Sequence, residues 1–407
     1  MDLRLPRALG VVLATALLLP TLAACQSAAP AAPTTAPPPT TAPAPAKPAA
    51  ASPAASPSPA ASPAVKPAAS PSASPAASPS PSPAVKPAAS PAAAPAASPV
   101  AAAAPSPTTP SYPKPNAPPA PTGDQKGSPS NPITMAFVPS ADSQKVLASG
   151  QPLADQLKAV TNLSFSVSVP TSYTTVIEAM GANQVDVGWL APFAYVLAHD
   201  KNGAQVILAS LRQGSKTYRS QIIVRADSGI TSLEQLRGKK FAFVDPASAS
   251  GFLFPNALLA QMGIDYKTFF SDTTFAGGHD KVVIAVYNKQ VDGGATFGNN
   301  VDNGPPTDAR TLVQSTLSDV MQVVRPIAQT DPIPNDTVSV RSGLDDNLVQ
   351  LIKNGLLYIQ STPEGQKALR DLYQIDGLGA AQDSDYDSVR KAAQALNLDL
   401  EQQIAPR

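Results

Sequence analysis

Cysteine, histidine and every motif built on them are nearly missing from this chain. Cys25 is the single cysteine in 407 residues, so no disulfide can form within it. The two histidines, His199 and His279, stand far apart, and no His/Cys cluster has metal-ligand spacing. Neither a metal nor another cofactor is expected. The G-x-S-x-G nucleophile elbow, the phosphate-binding G-x-x-x-x-G-K-S/T loop and H-E-x-x-H are also missing. A serine–histidine hydrolase would need an acid to orient His279. Asp280 is the adjacent residue, so on a helix it points elsewhere. The chain reads as a binder and not as an enzyme.

Acidic and large apolar residues are lacking over a long stretch. From Gln26 to about Ser130 the sequence is almost entirely Ala, Pro, Ser and Thr. It has no acid before Asp124 and only Lys47, Lys66, Lys86 and Lys114 as cations up to that point. Such a segment has too little to bury to offset the entropy of ordering its backbone. SPAVKPAASP occurs at Ser62–Pro71 and again at Ser82–Pro91, but the unit has almost nothing to stack on. Residues 26–130 are expected to be a disordered, extended spacer. At roughly 3.1 Å per residue it could reach on the order of 300 Å. Four linker lysines and one net positive charge before them leave an excess of five acids beyond Thr122, since the whole chain is neutral. A mildly acidic remainder argues against nucleic acid as partner, and anion binding would have to rest on local donors.

The N-terminus supplies a compartment. Arg4 and Arg7 precede an apolar run, Val11–Leu19, too short for a comfortable membrane span. Leu22-Ala23-Ala24-Cys25 follows and resembles the lipobox of bacterial lipoproteins. The resemblance implies a signal peptide cut before Cys25 and a lipid on its thiol. Everything downstream is then extracytoplasmic and tethered to the cell membrane.

From about Pro132 the composition is that of an ordinary folded domain, long enough for two lobes. Apolar runs at Ile133–Val138, Leu163–Val169, Val185–Leu190, Val206–Ser210 and Ser220–Arg225 read as strands. Helical patterns at Ala141–Val160, Thr174–Met180 and Pro192–His199 alternate with them. The pattern restarts after Arg225. Strands are expected at Lys240–Val244, Val291–Thr296, Val320–Val324 and Thr337–Val340. Helices are expected at Ser232–Leu236, Phe252–Met262, Lys281–Asn288, Leu344–Gln360 and Pro363–Leu372. Alternation of this kind argues an α/β fold with largely parallel sheets, whose ligands sit at the carboxyl ends of strands.

The stretch Phe241-Ala242-Phe243-Val244-Asp245-Pro246-Ala247-Ser248-Ala249-Ser250-Gly251 ends a buried strand and starts a helix with two hydroxyls and free amides. A helix N-terminus of this composition suits an anion, although Ser248 or Ser250 could serve only as a cap. Gly277-Gly278-His279 then places a histidine where backbone can approach a ligand closely.

In order and spacing these pieces resemble the phosphate/phosphite/phosphonate-binding proteins of ABC importers, the PhnD-type family. The resemblance also rests on Tyr173 with Val176–Met180, Val185-Asp186-Val187-Gly188-Trp189, Tyr218-Arg219-Ser220, Asp227-Ser228-Gly229-Ile230 and Val291-Asp292. It implies a two-lobed type II periplasmic binding protein. Lobe 1 would span residues 131–225, lobe 2 residues 226–332, with a return to lobe 1 and C-terminal helices over 333–407. Hinges are expected near Val224–Ala226 and Pro332–Val338. By the resemblance Ser248, Ala249 and Ser250 hold the oxyanion, His279 donates from the same lobe and Tyr173 from the opposite one. Tyr218 closes an aromatic wall, and Asp336 accepts from a protonated ligand oxygen or amine. The family often has Thr where Ala249 stands, which removes one donor. Aminoalkylphosphonate binders carry a glutamate in a place that falls near Asn299, a neutral amide. A small phosphorus oxyanion is therefore expected as ligand, and an ABC permease with its ATPase as partner of a monomer. The alternatives are another small anion or nutrient (a sulfonate, a thiamine-like pyrimidine) on the same fold, or a sensory ligand-binding module.

Overall fold

The computed structural model describes residues 110–299, 307–399 and 402. Cys25 and the linker up to residue 109 lie outside the described residues. Twelve strands are seen among them. β1 (Ile133–Phe137), β2 (Phe165–Ser168), β3 (Val187–Leu190) and β4 (Gln205–Leu211) come first. β5 (Thr217–Arg225), β6 (Lys240–Phe243), β7 (Asp272–Phe275), β8 (Gly293–Gly298), β9 (Val324–Gln329) and β10 (Ile333–Pro334) follow. β11 (Thr337–Val340) and β12 (Gly377–Gly379) complete the set. The helices are α1 (Ser143–Thr161), α2 (Tyr173–Gly181), α3 (Pro192–Asn202), α4 (Phe254–Gln261), α5 (Tyr266–Phe269) and α6 (His279–Tyr287). After them come α7 (Val320–Val323), α8 (Asp346–Ile359), α9 (Pro363–Tyr373) and α10 (Asp387–Ala395).

The strands form two sheets, one per lobe. The first runs β12-β4-β11-β3-β1-β2 and the second β10-β5-β8-β6-β7, with β9 also on β5. The centres are parallel, as the alternation of strand and helix predicts: β1 with β2 and β3, and β6 with β7 and β8. The strands next to the chain crossings are antiparallel instead: β11 on β3 and β4, and β5 on β8 and β9. A chain that leaves one sheet, enters the other and returns must reverse direction at its crossing strands.

That pairing moves the expected boundaries. β5 belongs entirely to the second sheet, because Arg219–Val224 pair with Gly293–Gly298. The first crossing is therefore 212–216, and not Val224–Ala226. β10 also pairs with β5, through Ile333 and Tyr218, so the second crossing narrows to Asn335–Asp336, inside the expected range. The spacer ends earlier than residue 130. The Gly127 amide donates to Asn131 O (2.8 Å), Ser128 is fully buried and Asn162 Nδ2 donates to Pro118 O (2.9 Å). Lys126 reaches the buried Asp186 carboxylate at 2.6 Å, and Arg341 Nε reaches it at 2.9 Å.

One expected strand is a helix. Val320–Val323 forms one helical turn, and the strand starts only at Val324. A four-residue apolar run fits a buried strand and a buried turn equally well. The expected helix at Ser232–Leu236 shrinks to a 3₁₀ turn at Glu234–Leu236. The strand β7 went unforeseen because all four of its residues are exposed. α10 packs on both α3 of the first lobe and α4 of the second, with Tyr386, Val389 and Ala393 buried.

Candidate functional site

The carboxyl ends of β1 and β3 in one lobe and of β6 in the other converge on a cavity of about 240 Å³. The chain runs into its second-lobe wall from Asp245, where β6 has just ended. Asp245 Oδ1 accepts from the Ala247 amide (2.8 Å), which turns the chain toward Ser248. Ser248 Oγ then accepts from the Gly251 amide (3.0 Å) and caps the next helix. So Ser248 is a cap, and it also lines the cavity.

The helix opens as a π-turn at Ala249–Leu253, because Leu253 N donates to Ser248 O (3.1 Å) one residue further back than in an α-helix. Pro255 follows and has no N–H for the Ser250 carbonyl. Ser220 Oγ supplies that missing donor at 2.6 Å. Gly251 is required here. A Cβ on it would stand 2.4 Å from Cβ and Cγ2 of Val244. Ser250 lines the cavity beside Ser248, whereas Ala249 is buried and is not part of the lining. Of the three residues expected to hold the oxyanion, Ala249 alone does not line the cavity.

His279 comes from a helix that starts two residues before the expected Lys281. Gly277 makes the turn with φ of 79°, a conformation that suits glycine. His279 is then the first residue of α6. Its Nδ1 accepts from the Phe297 amide (3.3 Å), which puts the ring proton on Nε2. Burial, with a smaller contribution from the nearby Arg212 guanidinium, pushes its pKa down to about 3. The ring is a neutral donor.

Tyr173 and Trp189 face these groups from the first lobe. Tyr173 opens α2, and burial, followed by the Asp245 carboxylate, raises its pKa well above the ordinary value. The phenol stays protonated and can donate. Trp189 stacks on Phe137 with centroids 5.6 Å apart, and its indole N–H is buried with no protein acceptor. Tyr218 also lines the cavity, and burial, followed by the Asp336 carboxylate, raises its pKa too. Tyr373, at the end of α9, donates to Val138 O (2.7 Å) beside the cavity. Sequence reasoning missed Tyr373 and Trp189 as lining residues, since both sit in apolar patterns that read as core.

The two remaining expected residues differ. Asp336 lines the cavity, but its Oδ2 accepts from Arg212 Nη2 at 2.6 Å. Asn299 also lines it, yet its amide nitrogen donates to Thr307 O and to Thr307 Oγ1 (2.7 Å). Arg212 itself carried no signal in the sequence: it stands between an apolar strand and a Gly turn, like many surface arginines.

Among the described residues the lobes bond directly to one another around the cavity, and Gln374 Nε2 of the first lobe donates to Thr311 Oγ1 of the second (3.1 Å). The His279 amide donates to Ser140 O (2.9 Å), and the Tyr173 amide donates to Asp245 Oδ2 (3.3 Å).

Residues 135–386 match the family described as ABC transporter, phosphonate, periplasmic substrate-binding protein. The chain belongs to that family. A phosphate-import protein PhnD of Mycolicibacterium smegmatis is 36% identical over 181 residues, which are 42% of this chain and 56% of the relative. The phosphonates-binding periplasmic protein of Escherichia coli is 25% identical, over 59% of this chain and 70% of the relative. Among solved structures, a binding protein component of a Pseudomonas aeruginosa ABC phosphonate transporter superposes with a TM-score of 0.59 at 23% identity. That match covers 67% of this chain and 92% of the other. The phosphonate-binding family is one of extracytoplasmic binding components. Among the described residues no helix is long and apolar enough to cross a membrane.

Proposed function

We propose that this chain is the ligand-capturing component of an ABC importer, taking a small phosphorus oxyanion (phosphate, phosphite or methylphosphonate) to a permease and its ATPase. Cys25 carries its lipid anchor and the chain works as a monomer. The observation that carries this reading is the ring of neutral donors around one cavity: Ser248 and Ser250 on one side, His279 beside them, Tyr173 opposite. A tetrahedral oxyanion has the acceptors to satisfy such a set.

Binding without catalysis fits the same geometry. Ser248 Oγ accepts from a backbone amide, and among the described residues no carboxylate is hydrogen-bonded to His279. A ring with a pKa near 3 is a poor general base. The small-ligand reading rests on charge. Asp336 is occupied by Arg212, and the Asn299 amide nitrogen by Thr307. An ammonium tail would find no free carboxylate there.

Calorimetry with phosphate, phosphite, methylphosphonate and 2-aminoethylphosphonate tests the proposal. Binding of at least one of the first three, tighter than the amine, is expected. Tighter binding of 2-aminoethylphosphonate would overturn the ligand choice. Failure of all four to bind would overturn the function.

A further inference from the structure

Arg212 stands where the first crossing, the second crossing and the cavity meet. Its Nε donates to Tyr373 O (3.0 Å), its Nη1 to Asn335 Oδ1 (3.4 Å) and its Nη2 to Asp336 Oδ2 (2.6 Å). A guanidinium has five N–H donors in a rigid fork. Nη1 and Nη2 therefore each keep one N–H beyond these contacts. The Arg212 side chain is 12% exposed and that of Asp336 24%, and both residues line the cavity.

Alone, Asp336 would select against a doubly charged ligand, because facing anions repel. The other ionisable groups around the cavity cannot offset it. His279 is neutral, and Tyr173, Tyr218 and Tyr373 are all held protonated by burial. Arg370 and Asp371 also line the cavity, but they carry opposite charges and both are exposed, so water and salt screen them.

We propose that Arg212 decides which ionisation state of the ligand the cavity takes. Paired with Asp336 it cancels the carboxylate's charge, so the site accepts the doubly ionised oxyanion as well as the monoanion. The proposal rests on the phosphorus-oxyanion reading above. It assigns Arg212 as a specificity-determining residue, and not only as a brace between the crossings.

The test is calorimetric titration of the full-length chain with inorganic phosphate across its second ionisation. In the unaltered chain affinity should stay level or rise as the second proton leaves. In Arg212→Gln it should fall about tenfold or more over the same range, the size of one lost charged hydrogen bond. Arg212→Lys should weaken binding yet keep the original slope. Arg212→Gln combined with Asp336→Asn should restore a level profile. Asp336→Asn alone leaves the guanidinium uncompensated and should rise more steeply with pH. That variant carries the test if Arg212→Gln does not fold. Parallel pH profiles in all variants would overturn the proposal. So would a uniform loss in Arg212→Gln at every pH, which would make Arg212 a brace alone. An unaltered chain that binds no phosphorus oxyanion would instead sink the functional reading, and this inference with it.

Discussion

Gly251→Ala is the substitution for which the structure makes the sharpest demand. The new methyl would lie 2.4 Å from two carbons of Val244 and 2.9 Å from Ser248 Oγ. Real carbon contacts do not reach such distances, so the start of the helix must move away from the end of β6 by about 1 Å or more. Overpacking of this kind costs about 1–3 kcal/mol, or roughly 2–12 °C in melting temperature for a domain of this size. The larger effect should be on binding. The same shift carries Ser248 and Ser250 away from the ligand. Two weakened charged hydrogen bonds, at about 1.5–3 kcal/mol each, amount to a loss of roughly a hundredfold to ten-thousandfold in affinity. Calorimetry with phosphate and methylphosphonate measures it, with melting monitored in parallel. A folded Gly251→Ala chain that binds its oxyanion as the parent does would show that the π-turn is not the anion site.

His279→Gln tests a buried neutral ring. Its folded pKa is depressed to about 3 while an unfolded histidine titrates near 6.5, so the unfolded chain takes up the proton first. This contribution to stability is full above pH of about 6.5 and is lost as pH falls toward 3. The variant should flatten that acid limb in a plot of melting temperature against pH, and an unchanged limb would contradict the assigned burial. Asp186→Asn should cost stability at the low end of the about 3–5 kcal/mol typical of a broken buried pair, since Lys126 is 25% exposed. It should also speed proteolysis within residues 118–131, and equal cleavage rates would show that Lys126 does not hold that segment. Ser250→Ala should weaken oxyanion binding roughly tenfold to a hundredfold, with Ser215→Ala as the control that leaves it alone. Cys25→Ser should release the protein from the membrane fraction, and retention there would mean that another anchor is at work.

The parts of this protein that are legible in its sequence are those with local causes. β11 and the core of α8 follow from apolar periodicity, and Ser248, Ser250 and His279 follow from helix starts with hydroxyls or glycines before them. What was illegible depends on contacts far apart in sequence. Arg212 matters because Asn335, Asp336 and Tyr373 meet it from over a hundred positions away, and no local pattern announces that. β5 reads as the last strand of the first lobe until its partner β8 is known. β7 has no buried residue, so periodicity had nothing to detect. Lys126 lies in a Gly- and Ser-rich stretch that resembles the spacer before it, and only the buried Asp186 reveals that the folded part has already begun.

Lobe contact and ligand contact share their residues, and this constrains how the site can work. His279 donates its backbone amide to Ser140 of the opposite lobe while its ring lines the cavity. Asp245 uses one oxygen to turn the chain into the π-helix and the other to accept from Tyr173, the donor across the cavity. Separating the lobes would break these two bonds, and that of Gln374 to Thr311, and withdraw Tyr173 from the serines and His279. Neither lobe alone holds the full set of donors. Asn335 at the second crossing donates to Ser210 O, in β4 just before the first crossing, and to Ser215 O within it, so the two crossings are held as one unit. Hinge closure is the usual response of such an architecture to its ligand. Here the donor ring is complete only when the lobes meet, so ligand affinity and closure must rise and fall together.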